Sequence, residues 1–184
     1  MVVKHLQSRK EINESINMIK TLQKTERNPH TVNPELGWSP YLAKDFLISM
    51  EIEIPPYANT YEDEFLTISS PQKINKNLIE DTVSYSITRD QLIARELHLQ
   101  LRVFYGDDSL SARQVFADFV SRLYQSALEK PIPIKLTKAI KGGQHYKEQH
   151  ELAEILLTKE LWKNNTNGYN LEFRIIHHSQ NQTQ

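Results

Sequence analysis

The chain has 184 residues, 39% of them hydrophobic and 24% charged, with a formal net charge of -1 and no cysteine. That length supports one substantial core and is short for two ordinary domains. The missing thiols exclude disulfides, thiolate catalysis and cysteine-based zinc sites, and they fit a reducing compartment, so an intracellular, cytoplasmic location is expected.

Ser8-Arg9-Lys10-Glu11 forms a capping-box pattern before Ile12, Ile16, Ile19 and Leu22, whose spacing predicts an amphipathic helix near 9–24 within an N-terminal segment 1–27. Lys4, Arg9, Lys10, Glu11 and Glu14 interrupt the apolar run a secretory leader would need. No window approaches the ~18 apolar residues of a membrane helix, so a soluble protein is expected. Pro29, Pro34, Gly37 and Pro40, with Trp38 and Tyr41, predict a Pro-rich entry loop over 28–44. Asp45 to Ile54 alternates, with Phe46, Ile48, Met50, Ile52 and Ile54 on one side and Ser49, Glu51 and Glu53 on the other, which predicts a half-buried strand ended by Pro55-Pro56.

Phe65 to Ser69 reads as a short strand or a turn of helix, closed by Pro71. Thr82–Thr88 and Glu96–Tyr105 both alternate strictly and are expected to pair as antiparallel neighbours. After the Gly106-Asp107-Asp108-Ser109 turn, Ala112, Val115, Phe116, Phe119, Val120, Leu123 and Ala127 make a strong helical stripe that must cover the sheet. Pro131–Thr137 reads as an edge strand, Gly142-Gly143 as a break, and His145–Lys163 as a helix through Leu152, Ile155, Leu156 and Lys159. A last strand covers Asn170–Ile176, before a disordered tail at 179–184. These elements predict an α+β fold, a single domain over 28–178, with a mixed, mainly antiparallel sheet of about five strands and helices mostly on one face.

Charge is segregated along the chain. From residue 35 to 64 there are seven acids (Glu35, Asp45, Glu51, Glu53, Glu62, Asp63, Glu64) against Lys44, a net of -6. From 130 to 147 there are five lysines (Lys130, Lys135, Lys138, Lys141, Lys147) and no acid, a net of +5. On different faces these segments make a dipole suited to self-association or to one charged partner; side by side they would pair.

Motifs for chemistry are sparse. The five glycines form neither a phosphate loop nor a dinucleotide fingerprint, and no serine sits in a nucleophile elbow. Ser70-Pro71-Gln72-Lys73 matches Ser-x-x-Lys but reads as a surface turn. No Asp/Glu-x-Lys triplet of the common metal-dependent nucleases occurs. His145 and His150 are five apart, about 140° around a helix, so they do not form a zinc pair. Asp107 and Asp108 read as turn and helix-start residues. Neither a cofactor nor a metal is expected.

Lys44 to Ile54 through Thr60-Tyr61-Glu62-Asp63 resembles the aromatic-led strand, proline-containing turn and Tyr-x-Asp helix start of rhabdovirus-type matrix proteins. Leu97 to Phe119, with Tyr105-Gly106-Asp107-Asp108-Ser109-Leu110, is similar to a strand-turn-helix of the same family. The chain departs from that family in lacking a lysine-rich N-terminal arm, in the spacing of Pro55-Pro56-Tyr57 and in its near-neutral charge. The resemblance implies a self-associating structural protein that bridges a nucleocapsid and a membrane.

The leading reading is a non-enzymatic interaction or assembly protein whose partner is itself or another protein. Its binding residues are Lys135, Lys138, Lys141, Lys147 and Tyr146 on the basic side and Glu51, Glu53, Glu62, Asp63 and Glu64 on the acidic side. A small enzyme with Glu51, Glu53, His98 or Arg102 converging in a pocket is the second reading. Binding of nucleic acid, or of an anionic membrane surface, by the 130–147 lysines is the third.

Overall fold

The computed structural model describes residues 38–61, 64–74, 80–90, 93–105, 109–150, 153–164 and 167–177. The helix expected at 9–24, the loop before Trp38 and the tail after His177 lie outside these residues.

Ser39-Pro40 starts a helix where a loop and then a strand were expected. In α1 (Pro40–Ser49) the Ser39 hydroxyl accepts the Leu42 N–H at 3.2 Å, and Pro40 takes the first helical position, where a missing N–H costs nothing. Ala43, Phe46 and Leu47 are buried at helical spacing, whereas Ile48, which the alternating pattern placed inside, is 62% exposed. The Asp45–Ile54 strand is therefore replaced by a helix and a loop, and Glu51 and Glu53 lie in that loop instead of on a strand face. Replacing Ser39 with alanine is expected to cost about 1 kcal/mol of stability, read as a lowered midpoint in urea with an unchanged slope.

The loop after α1 is held by two side chains: Thr67 of the sheet donates to its Pro55 carbonyl at 2.9 Å, and its own Tyr57 donates back to the Pro40 carbonyl of α1 at 3.1 Å. Strands β1 (Ala58–Tyr61), β2 (Glu64–Ile68) and β3 (Gln72–Lys73) follow. Both β2 and β3 pair with the same side of β4 (Thr82–Arg89). Between them the Ser69 hydroxyl accepts the Tyr85 N–H at 2.9 Å, a side chain standing in for a backbone carbonyl of the ladder. Phe65–Ile68 thus belong to a strand, β2, which ends before Pro71 as expected.

β4 pairs with β5 (Ala94–Val103) from Thr82↔Arg102 to Arg89↔Ala94, as the two alternating runs predict. The α+β class and the antiparallel sheet are as expected, but among the described residues the sheet has eight strands, in the order β1-β2-β4-β5-β8-β7-β6 with β3 beside β4. Val83, Tyr85 and Ile87 of β4 and Leu97, Leu99, Leu101 and Val103 of β5 face one way and are buried. Helix α2 (Ser109–Leu128) covers them with Ala112, Phe116, Val120, Leu123, Tyr124 and Ala127. Each of these large side chains contributes roughly 1.5–3 kcal/mol on removal from water.

The remaining elements depart from the sequence reading. Pro131–Thr137 is not a strand: Pro133 precedes helix α3 (Ile134–Gly142), which buries Leu136, Ala139 and Ile140 and stops at Gly143 with a φ of 60°. Two prolines within three residues imitated an edge strand, while the left-handed glycine is an ordinary helix stop. Nor is His145–Lys163 a helix. It holds β6 (Tyr146–Gln149) and β7 (Ala153–Leu161), which pair with one another. His145 and His150 consequently lie in connections, not on a helix. β7 buries Ala153, Ile155 and Leu157 by alternation, and the run Ile155-Leu156-Leu157 satisfied both periods. β8 (Tyr169–His177) joins β5 to β7, burying Tyr169, Leu171, Phe173 and Ile175. No described helix is long and apolar enough to cross a membrane.

Candidate functional site

With the helices on one side, the other face of the sheet carries the alternate residues of each strand. Cross-strand register places Ser86 (β4), His98 (β5), Arg174 (β8) and Leu156 (β7) in one row, and Ser84, Gln100, Glu172 and Thr158 in the next. Glu172 is the hub. Arg174 Nη2 donates to its Oε2 at 2.7 Å, Gln100 Nε2 donates to its Oε1 at 3.1 Å, and His98 Nε2 lies 3.6 Å from Oε2. Arg174 also reaches Glu96 at 3.5 Å. Burial opposes ionisation of Glu172, yet the hydrogen bonds from Arg174 and Gln100, with His98 nearby, hold its carboxyl below the usual range. Burial, assisted by the Arg174 charge and opposed by Glu172, lowers His98, which is therefore a neutral imidazole at neutral pH.

Ser86 Oγ lies 3.4 Å from His98 Nδ1, so Ser86 and His98 with Glu172 of the adjacent row have the residue types of a hydrolase triad. Both separations exceed the 2.6–3.2 Å expected of a nucleophile and its base. Ser86 also sits inside the sheet, paired with Ile68 on one side and His98 on the other, so the backbone N–H groups around it are committed to the ladder and supply no oxyanion hole. Sequence reading singled out His98 but missed Ser86, Glu172 and Arg174. Their alternation was visible; the register that brings them together was not. Among the described residues no group of His, Asp and Glu is arranged to hold a metal ion.

The charged segments stand elsewhere. Glu51 and Glu53 are exposed in the loop after α1, away from any strand face, and Arg102 is exposed at the end of β5. Glu62 and Asp63 are outside the described residues, and Glu64 begins β2. Lys135, Lys138 and Lys141 are exposed along α3, opposite its buried Leu136, Ala139 and Ile140. Lys147 on β6 pairs with Glu154 at 2.8 Å, and Lys130 Nζ lies 3.1 Å from His150 Nε2. Tyr146 donates to Glu148, and burial followed by that bond raises its phenol, leaving it a protonated donor.

Helix α2 separates the two segments. Its Arg122 Nη1 reaches Met50 Sδ, at the end of α1, at 3.3 Å. On α2 nine residues earlier, Arg113 stands beside Gly143 at the end of α3. Nine residues are about two and a half turns, so α1 and α3 end on opposite flanks of α2. Among the described residues no ion pair joins an acid of 35–64 to a lysine of 130–147.

No protein-family model matches the chain, and neither does any curated protein or solved structure.

Proposed function

We propose that this chain is a non-enzymatic assembly protein that associates with copies of itself head to tail, the acidic flank at Glu51 and Glu53 meeting the basic stripe Lys135, Lys138 and Lys141 of a neighbour. The observation that carries this reading is the placement of the two segments on opposite flanks of α2 with no described ion pair between them. Opposite charges held apart on one body cannot neutralise each other internally, but they can do so between bodies, and a heterologous contact of that kind propagates. The polar sheet face supports the same reading, since its ionic groups are largely engaged with one another. A matrix-like role also belongs to this proposal. It draws on the strand-turn-helix from Leu97 to Phe119, where β5 is followed by α2; the first resembling segment gives no support, because Pro40–Ser49 is helical.

Light scattering across concentration and salt tests it. Wild-type protein is expected to form oligomers that grow with concentration and dissolve as salt rises. The K135E/K138E/K141E variant is expected to associate at least about tenfold more weakly. Mixing it with an E51K/E53K variant should restore mixed oligomers. A wild-type monomer at high concentration and low salt would overturn the proposal, as would a triple variant that associates unchanged.

A further inference from the structure

Beyond that assembly reading, we propose that the end of α3 carries a binding site for a phosphate group, built from Arg113, Lys159 and Tyr169 around Gly143. A Cβ built on Gly143 would stand 3.0 Å from Arg113 Nη1 and 3.7 Å from Lys159 Nζ, so two cations from different elements converge beside this glycine. The backbone there has a φ of 60°, which favours glycine, and any side chain would press on the Arg113 guanidinium. Neither cation forms an ion pair with a described residue, although both are partly buried. Arg113 Nε is shielded from solvent and has no hydrogen-bond acceptor among the described residues. Lys159 Nζ sits 4.2 Å above the ring of Tyr169, a residue 3% exposed whose hydroxyl also has no partner among the described residues.

The C-terminal end of α3 accounts for part of this. Its partial negative charge, roughly half an elementary charge, favours a nearby cation. It does not balance two cations, and two of its final carbonyls, those of Ile140 and Ala139, are already taken by the Gly143 and Gln144 N–H groups. Two unbalanced cations and two buried donors lacking acceptors call for an external acceptor with several oxygens and about two negative charges. A phosphate dianion has both: the guanidinium fork takes two oxygens, the ammonium a third and the phenol a fourth. A carboxylate has only two oxygens and one charge.

The test is titration of inorganic phosphate into the full chain by calorimetry at constant ionic strength, with chloride as the matched salt and a monoalkyl phosphate in a parallel arm. Saturable binding of one phosphate per chain is expected. Arg113→Gln and Lys159→Gln should each weaken it at least about tenfold, the loss of a hydrogen bond to a charged group. Tyr169→Phe should weaken it severalfold, and Lys135→Gln, on the outer stripe of α3, should not change it. Tighter binding of the ester than of free phosphate assigns the site to a phosphomonoester, and the reverse assigns it to the free anion. Without phosphate, both charge-removing variants should melt no lower than wild type, because each relieves repulsion between like charges. Should Arg113→Gln fail to fold, Lys159→Gln decides alone. Absence of saturable binding would overturn the site, as would equal binding by all variants.

Discussion

Replacing Phe116 with alanine is expected to lower the free energy of unfolding by about 3–5 kcal/mol, the usual cost of emptying a buried aromatic position. Phe116 is fully buried on the face of α2 that also carries Ala112, Val120 and Leu123, and this helix packs against β5 at the centre of the sheet. The sheet is already held by its ladders on either side of β5, so it cannot close around a void without breaking pairs. Leu110, on the same helix and 54% exposed, is the control: its alanine variant should change stability by no more than about 0.5 kcal/mol. Urea unfolding of the two variants checks both values. Equal effects at the two positions would mean that α2 does not cover the sheet.

The contrast between these positions was readable from the sequence, because α2 repeats its apolar residues without competition for 16 residues from Ala112 to Ala127. The same holds for β4, β5 and β8, where polar and apolar residues alternate cleanly. Errors arose where two periods overlapped. Around α1, Phe46, Ile48, Met50, Ile52 and Ile54 alternate by composition, but Ala43, Phe46 and Leu47 form the stripe that is buried. Only the cap distinguishes them: Ser39 followed by Pro40 is a helix start, but Pro40 near Pro34 and Gly37 also fits a Pro-rich loop. At α3 the glycine stop was noticed while the helix before it was not, since Pro131 and Pro133 outweighed Leu136, Ala139 and Ile140.

The site residues follow the same logic at longer range. His98 could be assigned to the polar face of its strand from β5 alone. That Glu172 and Arg174 stand beside it depends on β8 inserting between β5 and β7, more than seventy residues along the chain from Gln100 to Glu172 in the one bond that ties them most directly. Local pattern fixes which way a side chain points; strand order decides what it meets. Charge segregation behaves likewise. The net charges of 35–64 and 130–147 were countable, whereas their placement on opposite flanks of α2 needed the packing of three helices.

Replacing Arg174 with methionine is expected to flatten the acid side of the stability profile and to raise the pKa of His98. In the wild-type protein His98 titrates below its ordinary value of 6.5, so the unfolded chain binds a proton there more readily than the folded one. Stability is unaffected by this group above about pH 6.5 and falls as pH drops below it, until the folded imidazole is itself protonated. Glu172 titrates below its ordinary value of 4.5, so its contribution is present above that pH and is lost as pH falls through the lower, folded value. Wild-type thermal midpoints should therefore decline in two stages on acidification. With burial, the Arg174 charge lowers His98, and its hydrogen bond is the largest force that lowers Glu172 against burial. Without it, burial alone depresses His98 while Glu172 pulls the imidazole upward, and the carboxyl moves up in turn. Both stages then shrink. At neutral pH the variant should also lose about 1–2 kcal/mol, less than for a fully buried pair, because the arginine is 38% exposed and partly screened. Proton NMR titration of His98, with melting curves from pH 4 to 8, measures each shift. A His98 pKa unmoved by Arg174→Met would mean that burial by itself sets the imidazole, and that the ionic groups on the polar sheet face are not coupled to it.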